Sequence, residues 1–167
     1  MQQEILAIRF GYGLPAAVTG PDRMLAALSG PDLAADRWPG PDQASIAAAF
    51  LDFQQARRAR DDVAKKAAQV AALALATESA KASFARAIGS EDSFRERLVA
   101  FWADHFTTTA RNPMNKPLTG LMVDQAIRPH VAGRFADLLR AATTHPAMLV
   151  YLNQDVSIGP GSPTGRR

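Results

Sequence analysis

The alternation of apolar and polar positions reads as helix along nearly the whole chain. Gln3 to Phe10 suits a short helix that Gly11-Tyr12-Gly13-Leu14-Pro15 ends, because glycine loosens the backbone and proline cannot continue a helix. Gly-Pro-Asp then recurs at Gly20, Gly30 and Gly40. Each copy reads as punctuation: glycine closes one helix, proline sets φ for the next, and the acid meets the positive end of its dipole. The spacing is too short for a solenoid, so two short helices are expected, Asp22 to Leu28 and Asp32 to Arg37.

From Asp42 to Ile88 there is neither glycine nor proline. One helix of that length would run roughly 70 Å, too long for a compact unit of this size, so a single corner is expected. The charged cluster Arg57 to Asp62 is the first choice for it and Thr77-Glu78-Ser79 the second. Ile46, Phe50 and Phe53, then Val63, Ala67, Val70 and Ala74, then Phe84 and Ile88, recur at helical spacing and are the stripes expected to face the core. Alanine-lined faces let helices approach closely, so the pair reads as a packed hairpin.

Gly89-Ser90-Glu91-Asp92 marks the next boundary, with Ser90 suited to cap a helix from Glu91 to about Thr107. There Phe94, Leu98, Phe101 and Trp102 share a side, and His105 falls about 20° from Phe94, in the middle of the expected buried face. A loop from Arg111 to Pro117 follows. Helices are then expected from Thr119 to Ile127, from Pro129 through Ala142 with Val131, Phe135, Leu138 and Leu139 on one side, and from Pro146 to Leu152. The fold class is therefore all-α: an irregular multi-helix bundle of about seven to nine helices, with a long alanine-rich hairpin in the middle and no sheet. Residues 1–156 form one helical domain and residues 157–167 a flexible Gly/Pro/Ser tail.

Composition strengthens the helical reading, since about a fifth of the 167 residues are alanine. The pI near 9.7 suggests nucleic acid, yet the formal charge is only +3. Arg57, Arg58, Arg60, Lys65 and Lys66 spread around their helix, are interrupted by Asp61 and Asp62, and lack interleaved aromatics, so they read as a solvated surface and not a phosphate-binding stripe. Without cysteine there is no disulfide, thiolate nucleophile or cysteine-ligated metal. No secretory signal and no apolar run long enough to span a bilayer occur, which makes the chain cytoplasmic by default.

One residue carries candidate chemistry. A histidine on an apolar face, held neutral by burial, suits a general base or a metal ligand, and equally a structural histidine; the structural reading is preferred. Asp104 points about 100° away from His105, and His130 and His145 match no ligand spacing, so no metal and no cofactor are assigned. There is no nucleophile elbow, phosphate loop or dinucleotide fingerprint. Thr107-Thr108-Thr109, Arg111 and Asn112 either line a pocket or form a solvated helix end, the latter being preferred.

Three ordered blocks, Arg97 to Phe106, Arg128 to Leu139 and His145 to Asn153, with the opening Ile8 to Leu14, resemble the bacterial family known as domain of unknown function 1800. The motif positions are Phe101, Trp102, His105, Phe106, Arg128, Gly133, Phe135, Pro146 and Tyr151. The resemblance implies a longer protein, of which this chain is the N-terminal portion and whose remainder is itself a partner. It also implies a sulfatase-like partner protein and, with it, a place at the cell envelope. Family members often carry a second histidine where Ala103 stands, so a two-histidine metal site in that helix is unavailable here. Two functions are carried forward: a scaffold or interaction module, and part of an enzyme whose site around His105 is completed by residues beyond this chain.

Overall fold

The computed structural model describes residues 2–13 and 20–165. Among them are nine α-helices and no strand: α1 (Gln2–Phe10), α2 (Pro21–Ser29), α3 (Leu33–Arg37), α4 (Gln43–Ala59), α5 (Asp62–Gly89), α6 (Ser93–His105), α7 (Lys116–Met122), α8 (Phe135–Thr144) and α9 (Pro146–Tyr151). A 3-10 turn, Pro113–Asn115, precedes α7; a π turn, Val123–Ile127, and a 3-10 turn, Arg128–His130, follow it. Leu14 and Pro15 of the expected first break, and Arg166 and Arg167 of the tail, lie outside the described residues.

Local chemistry sets the boundaries. Gly20 opens α2 at φ 148, a conformation that favours glycine, and Pro21 follows as its first residue. In the other two Gly-Pro-Asp copies the acid is itself the cap: Asp32 Oδ1 accepts from Ala35 N at 3.0 Å and Asp42 Oδ1 from Ser45 N at 2.7 Å. The hairpin turns within the charged cluster, where Arg60 adopts φ 56 and Asp61 caps α5 through Ala64 N. Ser90 does not cap α6. Asp92 does, accepting from Arg95 N, while Ser90 Oγ accepts from Asp92 N.

The helix expected from Pro129 to Ala142 starts instead at Phe135. Proline deprives the helix of one N–H and crowds the carbonyl four residues back. The turn before it is widened, with Arg128 N–H reaching the carbonyl of Val123, five residues away.

The core joins side chains from α4 to α9: Ile46, Val99, Leu118, Ile127, Leu138 and Met148 are among its buried members. The hairpin packs through small residues, with Ala49, Ala56, Ala68 and Ala72 all buried. Close approach continues where α7 crosses α5, since a Cβ at Gly120 would lie 2.5 Å from Ser79 Cβ. The tail from Ser157 to Gly165 is exposed except at Ser162 and makes local turns, such as Ser162 N to Gly159 O.

Two expected faces are turned the other way. Val63, Ala67, Val70, Ala74, Phe84 and Ile88 are all exposed, and α5 buries Ala68, Ala72, Ser79, Ala82 and Arg86, roughly 140° around the helix. On α6 the fully buried residues include Arg95, Glu96 and Val99, roughly 120° from the expected stripe; of that stripe Leu98 and Trp102 still pack against the core and Phe94 is half-buried, while Phe101 and His105 are exposed. The physical reason lies in charges that hydropathy places outside.

Arg128 is 5% exposed and donates from both terminal nitrogens to Glu96, at 2.8 and 2.7 Å. Its Nη1 also reaches Asp32 Oδ2 at 3.0 Å, and its Nε stands 3.8 Å from Asp124 Oδ1 without a hydrogen bond. Arg86, 2% exposed, grips both Asp124 oxygens at 2.5 and 3.3 Å and donates through Nε to the carbonyl of Trp38. Arg95 holds Asp92 and, through Nη2, the carbonyls of Ala27, Leu28 and Gly30. Paired, bidentate and almost fully hydrogen-bonded, these guanidinium groups meet the conditions under which buried charge is tolerated.

Removing one partner leaves the others stranded. Arg128→Met is expected to cost about 3–5 kcal/mol in urea denaturation, and Arg128→Met combined with Glu96→Leu to recover part of that loss. Wild-type stability in the single variant would contradict this role.

Candidate functional site

His105 is the last residue of α6 and is exposed. Its ring lies against three aromatics: stacked on Phe101 at 6.5 Å, and edge-on to Trp102 and Phe106 at 5.5 and 4.9 Å. Trp102 in turn packs on Phe106 at 5.9 Å and on Phe135 at 5.5 Å, which joins the end of α6 to the start of α8. The result is a continuous aromatic surface. Its floor is Phe106, buried, and half-buried Trp102; its outer members are Phe101 and Phe135, 59% and 53% exposed.

Among the described residues no carboxylate is hydrogen-bonded to the imidazole, and no group of three His, Asp or Glu side chains is placed to hold a metal. The other two histidines do not join it. His145 is buried as the N-cap of α9, accepting from Ala147 N at Nδ1, which puts its proton on Nε2, 3.4 Å from Gln125 Oε1. His130 ends the 3-10 turn after Arg128. Asp104 is exposed beside His105.

Of the cavities among the described residues, two bear on the expected pocket residues or the α5–α6 corner, and neither takes in His105. Thr107 and Thr108 line one of about 340 Å³ with Ser79, Ser83, Phe106 and Gly120. Arg111 instead donates to Asn153, and Asn112 caps the 3-10 turn before α7. The larger cavity, about 740 Å³, lies between α2, α3 and the α5–α6 corner, against Met24, Trp38, Phe94 and Arg95.

The remaining motif positions divide between this surface and the charged core. Arg128 belongs to the ion-pair network. Gly133 is exposed just before α8, Pro146 opens α9, and half-buried Tyr151 closes it against the core. A family model described as "Protein of unknown function (DUF1800)" matches residues 5–162. The chain belongs to the DUF1800 family. No curated protein and no solved structure matches it. For this DUF1800 chain, then, the family supplies motif positions and no reaction, and the geometry around them carries the functional argument. Residues that hydropathy missed are Asp32, Arg86, Arg95, Glu96 and Asp124; the available signal was that positions 95, 96, 99, 103 and 106 share one helical side.

Electrostatics follow the contacts. Burial alone would raise the Asp32 carboxyl, but the hydrogen bond from Arg128, the N–H of Ala35 and the charges of Arg128 and Arg95 hold it below the usual range. Burial likewise favours a lower affinity of Arg128 for its proton, and Glu96 and Asp32 overturn that, so the guanidinium stays charged. Burial pushes His145 down. In the unfolded chain a histidine protonates near pH 6.5, and a carboxyl near 4, before these folded groups do. Stability from both is present above the unfolded value and lost as pH falls through it toward the folded one.

The melting temperature should therefore fall between about pH 7 and 5 through His145. His145→Asn keeps an acceptor at the cap and should flatten that part of the curve. An unchanged slope in the variant would assign the loss to another group.

Proposed function

We propose that this chain is a helical interaction module, and that the aromatic surface at the junction of α6 and α8 is where a partner polypeptide docks. The observation that carries this reading is the exposure of Phe101 and Phe135 within one connected set of rings. Contiguous exposed aromatics mark interaction sites, and aromatic anchors contribute most of the affinity of protein interfaces. The fitting partner brings apolar side chains to cover the rings, with His105 as a polar group at the edge.

The module is residues 1–156, with residues 157–167 as a flexible tail. This is supported by a core whose last members are Val150 and Tyr151, and by the exposure of residues 157–161. An enzyme completed elsewhere would need His105 to meet a substrate, yet neither cavity includes it and no acid among the described residues is hydrogen-bonded to it. The sulfatase-like partner has no support in the comparisons. No helix among the described residues is long and apolar enough to cross a membrane.

Because Phe101 and Phe135 are exposed, Phe101→Ala and Phe135→Ala should leave the melting temperature nearly unchanged, within about 0.5 kcal/mol. Each should weaken the purified partner, once captured from cell extract and identified, by about 30-fold in calorimetric titration. Equal affinity for wild type and both variants would remove this surface as the docking site. A catalytic activity lost in a folded His105→Ala variant would favour the enzyme.

A further inference from the structure

The outer face of α5 is a second unpartnered surface, and its spacing differs from that of a face packed in a globular core. Val63, Ala67, Val70, Ala74, Thr77, Lys81, Phe84 and Ile88 are all exposed and follow one another by alternating steps of four and three residues. That is the heptad spacing of a seam that receives another helix along its length. It runs for 26 residues, roughly 38 Å, on a helix against which α4 and α7 already pack. The flanks are alanine at positions 64, 71, 80, 85 and 87, which permits close approach of the two backbones.

The order of sizes along the seam says which helix fits. Reversed end to end, it complements itself: Val63 meets Ile88 of the copy, Ala67 meets Phe84, Val70 meets the aliphatic stem of Lys81, and Ala74 meets Thr77. Small residues oppose large ones where packing needs them to. The flanking charges Lys66 and Glu78 then oppose alanines, Ala87 and Ala71 of the copy, so no like charges meet. A parallel pairing in register would instead set Lys81 against Lys81 and each small alanine against itself. Charge and volume both favour the antiparallel arrangement, which is also the self-complementary contact of a two-fold dimer.

We propose that α5 pairs antiparallel with α5 of a second copy of this chain, forming a two-fold dimer through the Val63–Ile88 seam. None of the seam residues is one of the rings of α6 and α8, so each surface is tested by its own substitutions: one joins copies, the other takes a partner. Failure of one is separable from failure of the other.

The whole chain is followed by sedimentation equilibrium across a concentration series, beside Val70→Lys and, as a control, Phe101→Ala. A dimer is expected for wild type and Phe101→Ala. Val70→Lys should raise the dissociation constant by at least about tenfold, because it sets a second ammonium group against Lys81 of the copy in the seam, while the exposed position leaves the helix content seen by circular dichroism unchanged. Direction is read by oxidation. The chain has no cysteine of its own. Ala74→Cys with Thr77→Cys should cross-link two chains under mild oxidant, while Val63→Cys should not, its two copies lying far beyond disulfide reach. A monomer at every concentration, a dimer indifferent to Val70→Lys, or a cross-link at Val63→Cys would each overturn the proposal.

Discussion

Arg128 is the point at which separate parts of the chain are tied together. Its guanidinium meets Glu96 from α6 and Asp32 from the start of α3, and lies beside Asp124 from the π turn, which Arg86 of α5 holds in turn. Four elements distant in sequence are thus fixed by charges, of which Arg128, Arg86 and Glu96 are buried and Asp32 and Asp124 half-buried. Apolar packing alone tolerates small rotations of a helix about its axis, because one methyl group substitutes for another. A bidentate carboxylate pair tolerates far less, since turning the helix strands a charge in a medium that cannot solvate it.

That constraint accounts for the surfaces left outside. With Arg95 and Glu96 drawn inward, α6 carries Phe101 and His105 outward, and Phe135 of α8 extends their surface. On α5 the inward position of Arg86, with Ala68, Ala72 and Ser79, sends the larger residues Val63, Val70, Phe84 and Ile88 to the outside. The bundle therefore places several bulky apolar side chains where other chains can reach them, while the inner faces of α5 and the start of α6 are given to small side chains and ion pairs. Such a division suits a module that joins things together better than one that encloses a substrate.

How much of this was legible depended on the physics of each feature. Helix existence and the hairpin corner were readable, because glycine, proline and capping acids act locally: Asp61 closes one helix pair, and the break falls within the Arg57 to Asp62 cluster as expected. Helix rotation was readable on α4, where Ile46 is buried and Phe50 and Phe53 pack against the core, but not along α5 or at Phe101 and His105 of α6. Hydropathy assumes that the apolar side faces inward, and that assumption failed on α5 and α6 for one reason, the buried arginines and their partners. The family blocks located Arg128 without its role, and they located His105 without its exposure. The start of α8 was missed because Pro129 acts on the turn before it, a widening that residue preferences do not announce.

The central claim is that α6 turns Arg95 and Glu96 in and Phe101 and its terminal histidine out. Reaction of the folded chain with diethyl pyrocarbonate, followed site by site by mass spectrometry, tests it directly. His105 should be modified as fast as a histidine in a short unstructured peptide, while His145, capping α9 from a buried position, should be protected until the protein unfolds. Protection of His105 in the native chain would place it in the core after all and contradict the account.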